Sequence, residues 1–375
     1  MKKRSSSPRQ IQPLFDAEPV AVSTSANSHM GGRVYMFKKE KSEVVAVRDP
    51  EIVKVAKARL KEIRNEHWLS IPVEFRDRWD EVALYSPKGD AKEATGLMLE
   101  IEAGAYDINN RLNHLTGRQW VKLSCSWFIF NAIPSDLAEE REVAPESKEH
   151  PATFSPSMIS DFIRFFTKEG DSVLDPFMGI GTTLVACRRT MRVGYGIELN
   201  PGFFATAKKR VPEFADNMWN DSIERVKSIQ IPEVSLIISS PPYWDVLNRS
   251  TKDFQAKRES RQLQSNYSSN SEDLGNVADY EEFLRRLVAA YRDCAIRLKP
   301  NGHMIVIVKN VKKEGVLYPL AWDIARELSN DLTLKDERIW IQDKAALAPY
   351  GYPHSWVSNI LHHYCLIFQK SQSRD

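Results

Sequence analysis

Cysteine is scarce in this chain: four thiols in 375 residues, Cys125, Cys187, Cys294 and Cys365, with no Cys-x-x-Cys spacing among them. Such scatter excludes a disulfide framework and offers no zinc-ligand pattern. The adjacent His362 and His363 do not supply a metal site either, because neighbours on a strand point to opposite faces. Long apolar runs are missing as well, so no segment approaches the ~20 residues that span a bilayer. The opening Met-Lys-Lys-Arg-Ser-Ser-Ser-Pro is basic, yet no apolar stretch follows to make a signal peptide, and the expectation is a cytoplasmic protein with no membrane partner. Charge of one sign is also lacking: 52 Lys and Arg stand against 50 Asp and Glu, a net charge of +2. Any polyanion must be held by local patches, not by an overall positive field.

What is present centres on residues 171–243. Ser172 to Leu174 reads as a short strand that reaches an acid at Asp175, and Pro176 keeps helix away until Gly179 and Gly181 have turned the chain. Thr182 to Arg189 then has helical character. A strand, a Gly-rich turn and a helix N-terminus gather unpaired backbone N–H groups around a polar ligand. A second strand, Arg192 to Ile197, ends in Glu198 about twenty residues after the turn, where a carboxylate can take both hydroxyls of a ribose. The turn has no lysine and so is not a phosphate-binding P-loop. Asp175, Glu198 and Asp221 would repel a polyphosphate but suit a nucleoside bearing a sulfonium and an ammonium, as S-adenosylmethionine does. Val234 to Ile238 reads as a buried strand that delivers Ser240-Pro241-Pro242-Tyr243 at its C-terminal end, where open α/β sheets carry their chemistry.

With Asp175-Pro-Phe-Met-Gly-Ile-Gly-Thr-Thr183, then Gly196-Ile-Glu-Leu-Asn-Pro201, then Ser240-Pro-Pro-Tyr243, the chain resembles the amino-group DNA methyltransferases over roughly residues 150–370. The resemblance implies a Rossmann-like seven-stranded α/β sheet with one reversed strand, S-adenosylmethionine as cofactor and double-stranded DNA as substrate, and it leaves room for a cognate restriction endonuclease as partner. It places Asp175, Pro176, Phe177, Gly179, Gly181, Thr182, Thr183, Glu198, Asn200 and Asp221 at the cofactor, with His150 and Phe154 of a His-Pro-Ala-Thr-Phe segment over its methionine side. It makes Ser240, Pro241, Pro242 and Tyr243 the catalytic group. The residue types fit that chemistry. An exocyclic base amine is a poor nucleophile until acceptors aimed at its N–H bonds favour a pyramidal nitrogen, and Ser240 Oγ with the Pro241 carbonyl are such acceptors. Consecutive prolines fix φ and keep that carbonyl aimed, while Tyr243 offers a ring face to an extruded base.

Cytosine N4 is the expected target, because Ser in the first motif position leans that way in the family; adenine N6 is the alternative, and RNA or protein amide methylation a further one. No cysteine follows a proline, so the Pro-Cys nucleophile of ring-carbon methyltransferases is missing.

The remaining chain sorts by composition. Residues 1–30 read as a basic disordered tail. Residues 31–135, with helix-compatible spacing over Val53 to Trp68 and Ala105 to Leu115 and with Trp68, Trp79, Trp120 and Trp127, predict a small, mainly helical accessory or target-recognition domain. Residues 136–149 form an acidic linker, and 150–370 the catalytic domain. Within it, residues 245–278 make a long loop whose Arg249, Lys252, Lys257, Arg258 and Arg261 are candidates for holding DNA phosphates. Ile339 to Ile341 and His363 to Phe368 read as a final strand pair, with Gly351-Tyr352-Pro353 between them at the entry to the site.

Overall fold

The computed structural model describes residues 35–40, 43–46, 58, 60–66, 68, 71–85, 98–101, 104–131, 136, 154–244, 272–344, 347–349 and 351–371. The chain divides into two compact units, Met1–Asn109 with Thr116–Ser124, and Asn110–Leu115 with Cys125–Asp375.

The larger unit is built on an eight-stranded sheet. Its strands are β6 (Trp127–Ile129), β7 (Ser172–Asp175), β8 (Val193–Ile197), β9 (Met218–Trp219), β10 (Val234–Ser239), β11 (Leu298–Val308), β14 (Thr333–Ile341) and β15 (His362–Gln369), in the order β6-β14-β15-β11-β10-β7-β8-β9. Only β15 runs against its neighbours: it pairs antiparallel with both β11 and β14, whereas β10 is parallel to β7 and β11, and β7 to β8. This is the expected sheet with one reversed strand, extended by β6, which pairs parallel with β14 at the edge.

Alternation along the central strands shows why the sheet is covered on both faces. Val306, Val308, Ile237, Leu366 and Phe368 belong to one core, while Ile305, Ile307, Leu236, Ile238, Cys365 and Ile367 belong to the other. Successive side chains on a strand point opposite ways, so near-continuous apolar runs fill two layers at once. Helix α3 (Pro156–Phe166) covers the second core through Met158, Ile159, Phe162 and Ile163, and α6 (Tyr280–Ala295) and α7 (Leu320–Leu328) cover the first. The helices start where local chemistry allows. α4 (Thr182–Arg189) begins after Gly181 in the left-handed region at φ +82°, and α5 (Pro201–Arg210) is capped by Asn200, whose side chain accepts from the N–H groups of Gly202 and Phe203. Lys299 to Gly302 lies within β11 as an irregularity, with Asn301 at φ +62°.

The smaller unit corrects the helical expectation for residues 31–135. It holds a five-stranded sheet, β2-β1-β3-β4-β5, formed by β1 (Tyr35–Glu40), β2 (Glu43–Ala46), β3 (Ala83–Tyr85), β4 (Met98–Ile101) and β5 (Gly104–Asp107). Helix is present at residues 60–66, in α1 (Val73–Asp77) and in α2 (Gly117–Leu123), around a core of Leu60, Ile63, Phe75, Trp79, Leu99 and Tyr106. Ala105 to Leu115 is not a helix. Asp107 Oδ1 accepts from Asn109 N at 2.8 Å, and Asn110 Oδ1 accepts from Leu112 N and Asn113 N at 3.0 and 3.1 Å. These side chains take backbone donors that a helix would need.

One glycine near the later site tests the packing. Gly196 on β8 lies under Met178, and a Cβ there would meet Met178 Sδ at 2.3 Å. Gly196→Ala is expected to lose about 1–3 kcal/mol, read as a lower urea midpoint at unchanged m-value. Gly117→Ala, whose Cβ meets nothing within 4 Å, leaves the midpoint nearly where it was.

Candidate active site

Strands β7 and β10 are direct neighbours with Val173 opposite Leu236 and Leu174 opposite Ile237, so both finish at the same edge of the sheet. The segments that follow them open onto one cavity with an empty volume of about 1120 Å³, its open mouth included. Ser240, Pro241, Pro242 and Tyr243 line it together with Asp175, Pro176, Phe177, Gly179, Thr182, Thr183, Glu198, Asn200, Asp221 and Phe154. Gly181 is the exception among the described candidates. It does not line the cavity; it packs behind the turn, where a Cβ would come within 3.1 Å of Ala207 Cβ, and its part is to let the chain enter α4. His150 and the loop residues Arg249, Lys252, Lys257, Arg258 and Arg261 lie outside the described residues.

The Gly-rich turn is held by the acids that line it. Glu198 spans it: Gly179 N donates to one carboxylate oxygen at 2.8 Å and Asn200 N to the other at 2.7 Å. Asp175 accepts from Phe177 N at 3.0 Å and from the Thr183 hydroxyl. Each carboxylate oxygen keeps acceptor capacity beyond these bonds. Burial pushes the Glu198 carboxyl up to about 7 against the pull of its two N–H donors, with the charges of Asp175 and Asp273 adding to the rise. Burial likewise raises Asp175 to about 6, opposed by Thr183 and Phe177. Asp221 is engaged differently: its Oδ1 accepts from Ser222 N at 2.7 Å and pairs with Arg225, which also grips Glu272. Ser222, not Asp221, caps the turn that follows.

The described lining contains five carboxylates, from Asp175, Glu198, Asp221, Glu272 and Asp273, and no Lys, Arg or His. Such a wall favours a cationic ligand and disfavours phosphate. Apolar side chains from Phe177, Phe203, Ile223 and Leu274 share the same cavity and can flank a ring.

The Ser-Pro-Pro-Tyr segment is pinned at both ends. Before it, Ser239 Oγ is hydrogen-bonded to the buried Tyr291 hydroxyl at 2.8 Å. After it, Trp244 is buried, donates through Nε1 to Ala278 O at 3.2 Å and packs its ring on Tyr280 and Tyr318. Between these anchors the two prolines hold the backbone, and Ser240 Oγ meets the Tyr243 hydroxyl at 3.1 Å. If Ser240 gives its proton to that contact, its lone pairs stay open to an outside N–H donor.

Three residues that sequence reasoning did not assign to the site support its lining from behind. His363 lies 6.0 Å, ring to ring, from Tyr243 and stacks on Trp340 at 4.1 Å; Phe154 packs edge-on against both Trp340 and His363. Burial, with Lys309 and His362 nearby, drives the His363 imidazole down to about 2, so it is neutral and acts as an aromatic surface. Arg210 also escaped notice: its buried guanidinium donates to Ile180 O and so supports the turn from below. A carbonyl partner of this kind leaves no mark in local sequence.

Comparisons with known proteins give the family. A family model described as DNA methylase, of the N6/N4 type, matches residues 23–209 and 234–374. The Type II methyltransferase M.Cfr9I of Citrobacter freundii is 45% identical over 67 residues, 18% of this chain and 22% of that protein. The Type II methyltransferase M.BglI of Bacillus subtilis is 38% identical over 104 residues, 27% and 26% of the two chains. The chain thus spans about a quarter of the length of the curated relatives it matches. Among solved structures, TrmN from Thermus thermophilus matches with a TM-score of 0.39 and 13% identity over 91% of this chain and 72% of that one. With a family match across most of its length, and an acidic cavity shared by the two motif segments, the chain belongs to the DNA methylase family of the N6/N4 type.

Proposed function

We propose that this protein transfers a methyl group from S-adenosylmethionine to the exocyclic amine of a base in double-stranded DNA, with N4 of cytosine as the target. The observation that carries the reading is one shared cavity: Asp175 at the end of β7, Glu198 at the end of β8 and the rigid segment with Ser240 and Pro241 after β10 line one volume.

The residues fit the cofactor by charge and by shape. Glu198 retains lone pairs for ribose hydroxyls after accepting from Gly179 and Asn200. Five carboxylates favour a ligand with a sulfonium and an ammonium, and Phe203 and Ile223 offer apolar walls to its adenine. When bound, the cofactor supplies an electrophilic methyl group on sulfur. The chain's own residues do the rest. Ser240 Oγ and the Pro241 carbonyl accept the two amine hydrogens, which frees the nitrogen lone pair and stabilises the transition state more than the ground state. The Tyr243 ring, backed by His363 and Trp340, gives the extruded base a surface to stack on, worth about 1–3 kcal/mol against the few kcal/mol of extrusion.

Serine at position 240 supports cytosine N4 over adenine N6 by family resemblance, since both aspartate and serine can accept an amine hydrogen. Sequence reading falls to residues 31–135, to the basic loop 245–278, or to both. The Type II naming of the relatives supports a restriction-modification setting, with a nuclease of the same specificity as partner.

Digesting DNA methylated by the protein to nucleosides and weighing them tests the target: N4-methylcytosine is expected, and a predominance of N6-methyladenine overturns that assignment. Ser240→Ala is expected to lower turnover tenfold or more while calorimetric affinity for the cofactor stays nearly unchanged; equal loss of both would mean that Ser240 holds the cofactor. Cofactor binding should also be proton-linked. Ribose hydroxyls bind the ionised form of Glu198, whose carboxyl in the free protein titrates near 7, so affinity rises as pH increases through about 7 and levels off above it. Below that pH, binding takes a proton off, and the calorimetric enthalpy should vary with the ionisation enthalpy of the buffer; Glu198→Gln removes the variation.

A further inference from the structure

The described residues 347–349 and 351–361 belong to the connection from β14 to β15, at the edge of the sheet where the candidate site lies. Ile341 pairs with His362 and Val308 with Tyr364, so the loop leaves and re-enters the sheet where β10 and β7 end. Its surface is unusual for a folded loop. Trp356 is 88% exposed, Tyr352 81% and Leu347 72%, and these are the three most exposed large hydrophobic side chains among the described residues. Three large apolar side chains set out in water on one loop mark a contact surface.

The exposure does not come from a slack chain. Ala348 and Asn359 clasp the loop's base, with Asn359 Oδ1 accepting from Ala348 N at 3.0 Å and Asn359 Nδ2 donating to Ala348 O at 2.9 Å. His354 N and Ser355 N both donate to Gly351 O at 2.7 Å, and Gly351 sits at φ +79°, where a Cβ would run into Ser355 O at 2.5 Å. Lys312, on the short strand β12 (Val311–Lys313), which pairs with β13 (Val316–Tyr318), donates to Ser358 O and Oγ at 2.7 and 2.8 Å. The tip is therefore built, and built with its aromatic rings outward.

Two further observations choose the occupant. No Asp or Glu occurs from residue 345 to 361, while Lys309, Lys312, Lys313 and Lys344 flank the loop against Glu314 and Asp343, so the rim suits an anion. The loop also leads directly into His363, the ring that backs Tyr243, which makes it continuous with the wall of the base pocket. We propose that the loop is a DNA wedge: Trp356, with Tyr352 beside it, stacks against the duplex next to the extruded target base and offsets part of the lost base stacking. This rests on the reading of the site as a DNA amine methyltransferase.

The test uses the full chain and a duplex carrying its methylated site, located by modification-sensitive sequencing of DNA treated with the protein, in two forms: target base normally paired, and target base opposite an abasic position, where extrusion costs less. Trp356→Ala is expected to lower kcat/KM tenfold or more on the paired duplex and less than threefold on the abasic-opposed one, with cofactor affinity unchanged and Trp356→Phe close to wild type. Activity of Trp356→Ala within twofold of wild type on the paired duplex overturns the wedge, as does an equal loss on both duplexes. Loss of self-association in sedimentation with unchanged DNA kinetics also overturns it and assigns the surface to a second copy of the chain. A wild-type protein that binds the cofactor but methylates no DNA would instead sink the functional reading itself, a result the variants cannot mimic.

Discussion

The register between β7 and β10 is the constraint on which the rest depends. Two parallel strands about 4.8 Å apart, with Leu174 opposite Ile237, bring an acid-bearing turn and a proline-stiffened elbow side by side, although about sixty residues of chain separate them. Alternating apolar side chains buried on both faces fix this register, because a slip by one residue would move each strand's side chains to the wrong layer. The geometry of the candidate site is thus a by-product of core packing. Ser239 against Tyr291 and Trp244 under Tyr280 and Tyr318 then remove what freedom the elbow has left.

Electrostatics divides the cavity into two kinds of acid. Asp221 and Glu272 share Arg225 at the rim and are compensated there. Asp175 and Glu198 sit deeper, answer to hydroxyl and backbone N–H donors, and are raised by burial towards neutrality. The same Glu198 carboxylate that would hold a ribose also ties Gly179 to Asn200, so the turn is shaped before any ligand arrives. Preorganisation of this kind lowers the cost of ordering a site on binding.

Much of this was legible in the sequence because the central strands bury both faces and so read as near-continuous apolar runs. Thr182 to Arg189 is helical at the bounds read from sequence, and the reversed last strand lies where the apolar run from His363 to Phe368 put it. The misses have physical causes. Strands of three to six residues in the smaller unit leave too short a period to tell from helix, and Asp107 and Asn110 capture backbone donors in a stretch whose apolar spacing imitates a helix. The pairing of β6 with β14 joins segments about two hundred residues apart. Phe154, Trp340 and His363 meet only in three dimensions; the adjacent histidines signalled no more than opposite faces of a strand, and which face adjoined Tyr243 depended on the register with β14 and β11.

Because β15 runs backwards, the final element of the sheet must be fed from the catalytic side, and the connection that feeds it has to cross that rim whatever its length. A stretch tethered at both ends to paired strands, yet itself outside the core, can be lengthened, shortened or rewritten without disturbing a single ladder bond. The fold therefore carries an adjustable lip beside its acidic cavity, one that can be remade while the strands that hold the cavity stay put.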